Sequence, residues 1–150
     1  MSTFEQRKTR RALRAGLVGT AGFVALWAFV GALGLVGGGV DLGDEITARL
    51  PFSSQILAGL LLATIVGVPM AATAALGVRA DPRTAIVGSY SGLLLVGWVT
   101  LQPFIIGRFN WLQPVFGLLG VAVCLLAYRL RRPSARAGFS PPLPYGSSPA

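Results

Sequence analysis

In a chain of 150 residues, 53% are hydrophobic and only 12% charged, well below the roughly one-quarter charged of soluble domains. The mean hydropathy of +0.68 leaves no room for a separate soluble unit, which needs about 50 residues or more. The net charge of +8, a single cysteine and no histidine exclude an intramolecular disulfide or cysteine-cluster metal site. They also count against imidazole-based hydrolysis, zinc or haem chemistry, so no cofactor is expected.

Residues 1–14 form a basic segment carrying Arg7, Lys8, Arg10, Arg11 and Arg14. Within it, Thr9 to Arg14 (TRRALR) has the look of a twin-arginine export signal. The apolar run behind it, from about Ala15 to Val40, is longer than the roughly 7–15 residues of a cleavable signal core, and three more apolar runs follow. An uncleaved first membrane span is therefore expected.

The connection after the first span, Asp41 to Leu50, holds Asp41, Asp44 and Glu45. Three carboxylates fall short of the roughly six to eight oxygen ligands of calcium and match no EF-hand spacing, so no metal site is assigned. Helix capping and pairing of Glu45 with Arg49 account for them. Pro51 to Gln55 opens the second span, with Ser53 or Ser54 as its N-cap.

The second span runs from Gln55 to Val78. Gly59, Ala63, Gly67, Ala71 and Ala75 recur every four residues, a stripe of small side chains that lets another backbone approach closely where lipid supplies no hydrophobic drive. The stripe is expected to be buried, within the monomer or in a homodimer. Pro69 frees the carbonyl of Ile65 and predicts a kink, with Thr64 or Thr73 compensating. Gly77 is expected to end the helix beside Arg79. Asp81 as N-cap and Pro82 at the first helical position then start the next helix, leaving a tight hairpin.

The third span covers Ala85 to Gly107 and the fourth Trp111 to Tyr128. Gly88 and Gly92 on one, and Gly117, Gly120 and Cys124 on the other, are further small-residue contacts. Ser89, Tyr90 and Ser91 form a weak polar cluster near the start of the third span, where hydroxyls are expected to bond to their own helix. Residues 131–150 are rich in proline, serine and glycine and read as a disordered tail.

Each span reaches or approaches the roughly 20 residues needed to cross about 30 Å of hydrocarbon, and none contains Asp, Glu, Lys or Arg. Alternating strand patterns are missing. The predicted fold is all-α: a four-transmembrane-helix bundle over residues 15–130. Eleven of the thirteen basic residues flank the first and last spans or lie in the 79–83 hairpin, against Arg49 and Arg108 on the other side, which predicts both termini in the cytoplasm. Because the basic residues border apolar spans and form no polar or aromatic binding surface, nucleic acid is not the expected partner. Anionic inner-leaflet lipid is.

The connection between the last two spans is the most chemically marked. LQPFIIGRFNWLQPVFG, residues 101–117, repeats Leu-Gln-Pro. With Gly107 ending one helix and Asn110 and Gln113 capping the next, Gln102 and Gln113 come to similar depth near the outer surface. An unpaired amide in hydrocarbon is costly, so either the two glutamines bond across the helices or, with Trp98, Thr100, Arg108 and Asn110, they form the mouth of a small-molecule site. Pro103 would release the carbonyl of Val99 as a further partner. Trp111 is placed as an interface anchor.

The segment WVTLQPFIIGRFNWLQPVFGLLG, Trp98 to Gly120, resembles small four-span integral membrane proteins of high-GC, actinobacterial-type bacteria, and twelve arginines to one lysine are compatible with such a source. The resemblance brings no assigned activity, substrate or catalytic residue. A looser similarity to DoxX-like four-helix membrane proteins rests on helix number. The leading expectation is a non-enzymatic accessory subunit of the cytoplasmic membrane, docking in a larger complex or with its own copies. The alternatives are a small oligomeric transporter or channel, and an enzyme acting on a lipid or quinone. The uncharged spans favour the first, since ion-coupled transport and acid–base catalysis generally need ionisable groups.

Overall fold

The computed structural model describes residues 3–39, 54–106 and 111–131. They form four long helices: α1 (Thr3–Val36), α2 (Gln55–Val78), α3 (Thr84–Ile106) and α4 (Leu112–Arg131). All four are long and apolar enough to cross a membrane. Successive helices are antiparallel and α4 returns to α1, closing a ring. The start of α1 and the end of α4 thus share one end of the bundle, called proximal below. The opposite end is distal.

α1 is longer than expected. It begins at Thr3, so the basic segment is the first three turns of the helix rather than a separate extension. It stops at Val36 and not at Val40, because Gly37 to Gly39 follow. Gly37 N donates to Leu33 O at 2.8 Å and Gly38 adopts φ +68°, a left-handed step that glycine takes without steric cost. Val40, the acidic connection around Arg49, Ser53, residues 107–110 and the tail lie outside the described residues.

α2 opens as expected on Ser54, whose hydroxyl accepts from Leu57 N at 3.3 Å. Its middle departs from the α-helix. Residues Ala63–Gly67 form a π-helical turn, with Val68 N donating to Ala63 O. This turn sits immediately before Pro69, whose ring would press on the carbonyl of Ile65 in a regular helix. Widening the turn relieves that pressure and leaves Pro69 at the start of the next α-helical stretch, Val68–Val78, where a missing N–H costs little. The predicted compensation by Thr64 or Thr73 is replaced by this change. Thr64 Oγ1 donates instead to Leu60 O at 2.7 Å, and Thr73 Oγ1 to Pro69 O at 2.9 Å.

The π turn also determines how α2 meets α1. Eight residues of α-helix rotate by about 80° beyond two turns, whereas one residue absorbed in a π turn brings Gly67 to within about 20° of Gly59. Both glycines accordingly face α1. A Cβ at Gly59 would stand 2.9 Å from Ala32 O, and one at Gly67 would stand 3.1 Å from the Phe29 ring. Beyond Gly67 the four-residue spacing drifts by about 40° per step, and Ala75 is exposed. The stripe is therefore not one continuous buried face. Its glycines are occupied within the chain, Ala63 and Ala71 are half-buried, and Ala75 faces outward.

Gly77 does not end α2. It is buried against α1, where an added Cβ would overlap Val18. The helix ends at Val78, with Ala80 N donating to Gly77 O and Asp81 N to Leu76 O. These are the paired bonds of a left-handed helix stop, and Ala80 takes it at φ +58°. Asp81 holds the hairpin as predicted, its Oδ1 accepting from Arg83 N at 2.7 Å. Regular α-helix begins at Thr84, whose buried hydroxyl donates to Asp81 O.

The core lies in the proximal and middle layers, around Leu17, Val24, Val66, Met70, Val123 and Ala127. At Gly88 all four helices converge: an added Cβ would meet Leu17, Thr73 and Ala127 side chains at 3.2–3.5 Å. α3 and α4 touch most closely at Gly92, where an added Cβ would be 2.8 Å from Gly120 O. The outer surface remains apolar, with Leu33, Leu60, Leu93, Phe104 and Leu118 all exposed, as hydrocarbon contact requires.

Candidate ligand cavity in the distal half

α1 and α2 stay in close contact through Gly59 toward the distal end, but the four helices together do not fill the space between them there. A cavity of about 310 Å³ opens between the helices. Its floor is Val24, Val66 and Leu95, contributed by α1, α2 and α3. Trp27, Trp98 and Phe116 form aromatic walls, and Gln102, Leu112 and Gln113 border it distally. Gln102 lies four residues before the end of α3, and Gln113 one residue into α4, so the two amides sit within about 6 Å of the distal helix ends.

The sequence-predicted residues divide in three. Trp98, Gln102 and Gln113 are brought together on the cavity wall. Arg108 and Asn110 lie outside the described residues, so the predicted capping of α4 does too. Gln102 and Gln113 both line the cavity, and Gln113 is not left without a partner. Gln113 is well buried, 7% exposed. Thr100 is turned away from the cavity; it is exposed and donates to Val96 O at 2.8 Å.

Trp98 carries the sharpest feature. Its Nε1 is sealed from solvent and meets no acceptor among the described residues. A buried N–H left unpaired in an apolar setting costs about 1–3 kcal/mol, and such groups in folded proteins are rare. Trp27 is half-exposed beside it and packs edge to face on Phe23, ring centroids 6.2 Å apart. The aromatic lining is thus accessible from the α1 side.

A second polar feature goes beyond the expectation that hydroxyls bond only to their own helix. Thr73 and Ser91, both fully buried, join α2 to α3: their hydroxyl oxygens are 2.9 Å apart, and each lies 2.9 Å from Pro69 O. Ser91 Oγ also reaches Val87 O, its own helix, and Ser89 bonds at home to Ala85 O. This link closes the middle of the bundle beneath the cavity and leaves its hydroxyls satisfied. The sequence signal is a threonine four residues after a mid-span proline, whose partner on α3 no local pattern could identify.

Among the described residues no group of three or more metal-ligating side chains is found. The basic side chains of those residues, Arg7 to Arg14, Arg79, Arg83, Arg129 and Arg131, all belong to the proximal end. Phe4, Arg7, Lys8 and Arg11 line a shallow basic hollow there.

Fold and cavity together define an all-α, polytopic membrane protein with four helices of spanning length. Comparison with known proteins returns no match, whether to a family model, a curated protein or a solved structure.

Proposed function

We propose that this chain is a non-enzymatic protein of the cytoplasmic membrane, with both ends in the cytoplasm, that holds a small uncharged molecule in the distal, outer half of its bundle. The observation that carries the reading is a cavity of about 310 Å³ walled by Trp27, Trp98 and Phe116 and bordered by the Gln102 and Gln113 amides. Concave, mostly apolar sites with a few convergent polar groups are the usual form of small-molecule sites. An uncharged occupant fits walls whose described residues include no ionisable side chain.

Holding is favoured over conduction because the cavity ends on Val24, Val66 and Leu95, and below them the bundle is filled by Leu17, Met70 and Val123. Docking through the second-span stripe, the basis of the accessory-subunit reading, loses support because Gly59 and Gly67 are already covered by α1. The orientation rests on the clustering of basic residues at the proximal end, where they would meet anionic inner-leaflet lipid.

The test is native mass spectrometry of the detergent-purified chain beside an Ala28→Phe variant, which fills the cavity from α1. A small neutral compound retained by the wild type and lost from the folded variant is the expected result. Equal retention by both proteins, or no compound above the empty-micelle background, would count against the reading. A liposome flux assay showing substrate passage would restore the transporter alternative.

A further inference from the structure

We propose that the first three turns of α1, residues 3–14, are a docking arm for an acidic segment of a partner protein, whose carboxylates meet Arg7, Lys8 and Arg11 and whose apolar side chain packs on Phe4. The proposal is independent of what the cavity holds and takes from the proposed function only the orientation.

Contacts with the neighbouring helices set the height of the arm. An added Cβ at Gly77 would meet Val18, so Ala80, three residues further along an antiparallel helix, is level with about Ala15. In the same way Gly16 faces Leu126, which brings Arg131, the last residue of α4, level with about Arg11. At 1.5 Å per residue, Arg7 stands about 6 Å and Phe4 about 10 Å beyond that helix end. The headgroup layer outside the hydrocarbon is only about 5–8 Å deep. Measured from Arg14, the basic residue nearest the apolar run, Arg11 falls inside that layer. Lys8, Arg7 and Phe4, about 9–15 Å out, pass through it.

Three features of the arm point to an acidic protein segment. The first is the pattern: Phe4, Arg7, Lys8 and Arg11 follow the i, i+3, i+4, i+7 spacing of one helix face and together line a hollow. Phe4 is 78% exposed, and lipid headgroups offer its ring nothing apolar to pack on, whereas aromatic side chains are common anchors of protein interfaces. Charge crowding is the second. Arg7, Lys8, Arg10, Arg11 and Arg14 stand three and four residues apart with one carboxylate, Glu5, among them. Such like-charge pairs disfavour the helix, as do cations toward its positive, amino end, and carboxylates brought from outside relieve both. The third feature is that the chain offers no such segment itself. Asp41, Asp44 and Glu45 belong to the connection between the distal ends of α1 and α2, Asp81 already accepts from Arg83 N, and residues 132–150 contain two arginines and no Asp or Glu.

The experiment uses the full chain in nanodiscs of phosphatidylcholine and, in parallel, in nanodiscs containing phosphatidylserine. The probe is a fluorescent helical peptide of about 15 residues, with glutamates spaced along one face around a central leucine. A peptide of the same composition with the leucine moved to the opposite face, and a single-stranded oligouridylate, serve for comparison. Fluorescence anisotropy is expected to show the patterned peptide bound in both nanodiscs, more weakly as salt rises. Arg7→Gln combined with Lys8→Gln should weaken both peptides roughly tenfold, and Phe4→Ala should weaken only the patterned one, roughly three- to tenfold. These exposed positions lie outside the spanning bundle, so the variants should keep the wild-type melting temperature.

No binding of the patterned peptide, or an affinity indifferent to Phe4→Ala and to the position of the leucine, would overturn the proposal. Loss of the peptide in phosphatidylserine nanodiscs would show that headgroups occupy the arm, and tighter binding of oligouridylate would assign it to nucleic acid; either result overturns the protein reading. Nanodiscs expose both faces of the protein, so these outcomes stand apart from any failure of the proposed orientation.

Discussion

At Ala80 the backbone adopts φ +58°, a conformation that costs an L-residue roughly 1–2 kcal/mol and glycine almost nothing. Glycine's larger unfolded-state entropy offsets part of that difference. Ala80→Gly is therefore expected to stabilise the chain by about 0.5–1 kcal/mol, seen as a higher melting temperature in detergent; a lower one would mean that the left-handed stop is not strained. The location of this stop was not legible beforehand. Gly77 carries the residue type of a helix stop, but its missing side chain serves contact with Val18, and glycine identity alone does not distinguish close packing from chain reversal. Thr73 and Ser91 offer a second residue-scale test. Thr73→Val and Ser91→Ala should each destabilise by about 1 kcal/mol, with the double variant losing less than the sum because the two hydroxyls share one network. Strict additivity in a thermal-unfolding cycle would show that they act independently.

The elements themselves were largely legible, because a water-free environment forces long apolar runs into helices. The starts and stops set by Ser54 and Asp81 follow from side chains that bond to the nearby backbone. What local chemistry could not convey was the π turn, since a proline announces a disturbance and not its form. The turn absorbs one residue, which yields an unusual expectation. Deleting Thr64, an exposed residue in the turn, converts α2 toward a regular helix with its two halves still in register. The variant should remain folded, at a cost of about 3 kcal/mol from the renewed proline clash. Deleting Leu94 from regular α3 rotates everything beyond it by about 100°, moving Trp98 and Gln102 off the cavity, and should abolish folding. Equal tolerance of the two deletions in detergent gel filtration would refute the role given to the turn. The cavity belongs to this scale as well. Trp98, Gln102 and Gln113 stood out in sequence as polar or aromatic residues at matching depth, whereas Val24, Trp27, Leu62 and Phe116 did not, because no periodicity marks which apolar residues border a void.

For the whole molecule, four antiparallel helices put Thr9, Arg83 and Arg129 at one end of the bundle. In a Cys124→Ala background, Thr9→Cys and Arg83→Cys should both resist a membrane-impermeant thiol reagent in intact cells and label fully after lysis. Labelling of either one in intact cells would reverse the proposed orientation. The shared end follows from helix number alone; the side of the membrane follows from where the arginines gather.

α1 runs without a break for 34 residues, about 51 Å, against about 30 Å of hydrocarbon. Its deepest anchorage is Leu17, clasped against the other three helices beside Gly88. Arg7 and Trp27 stand ten residues to either side, about 15 Å each. The arginine-rich first turns and the tryptophan at the cavity's edge are thus parts of one unbroken rod, whose excess length over the hydrocarbon lies in the basic arm.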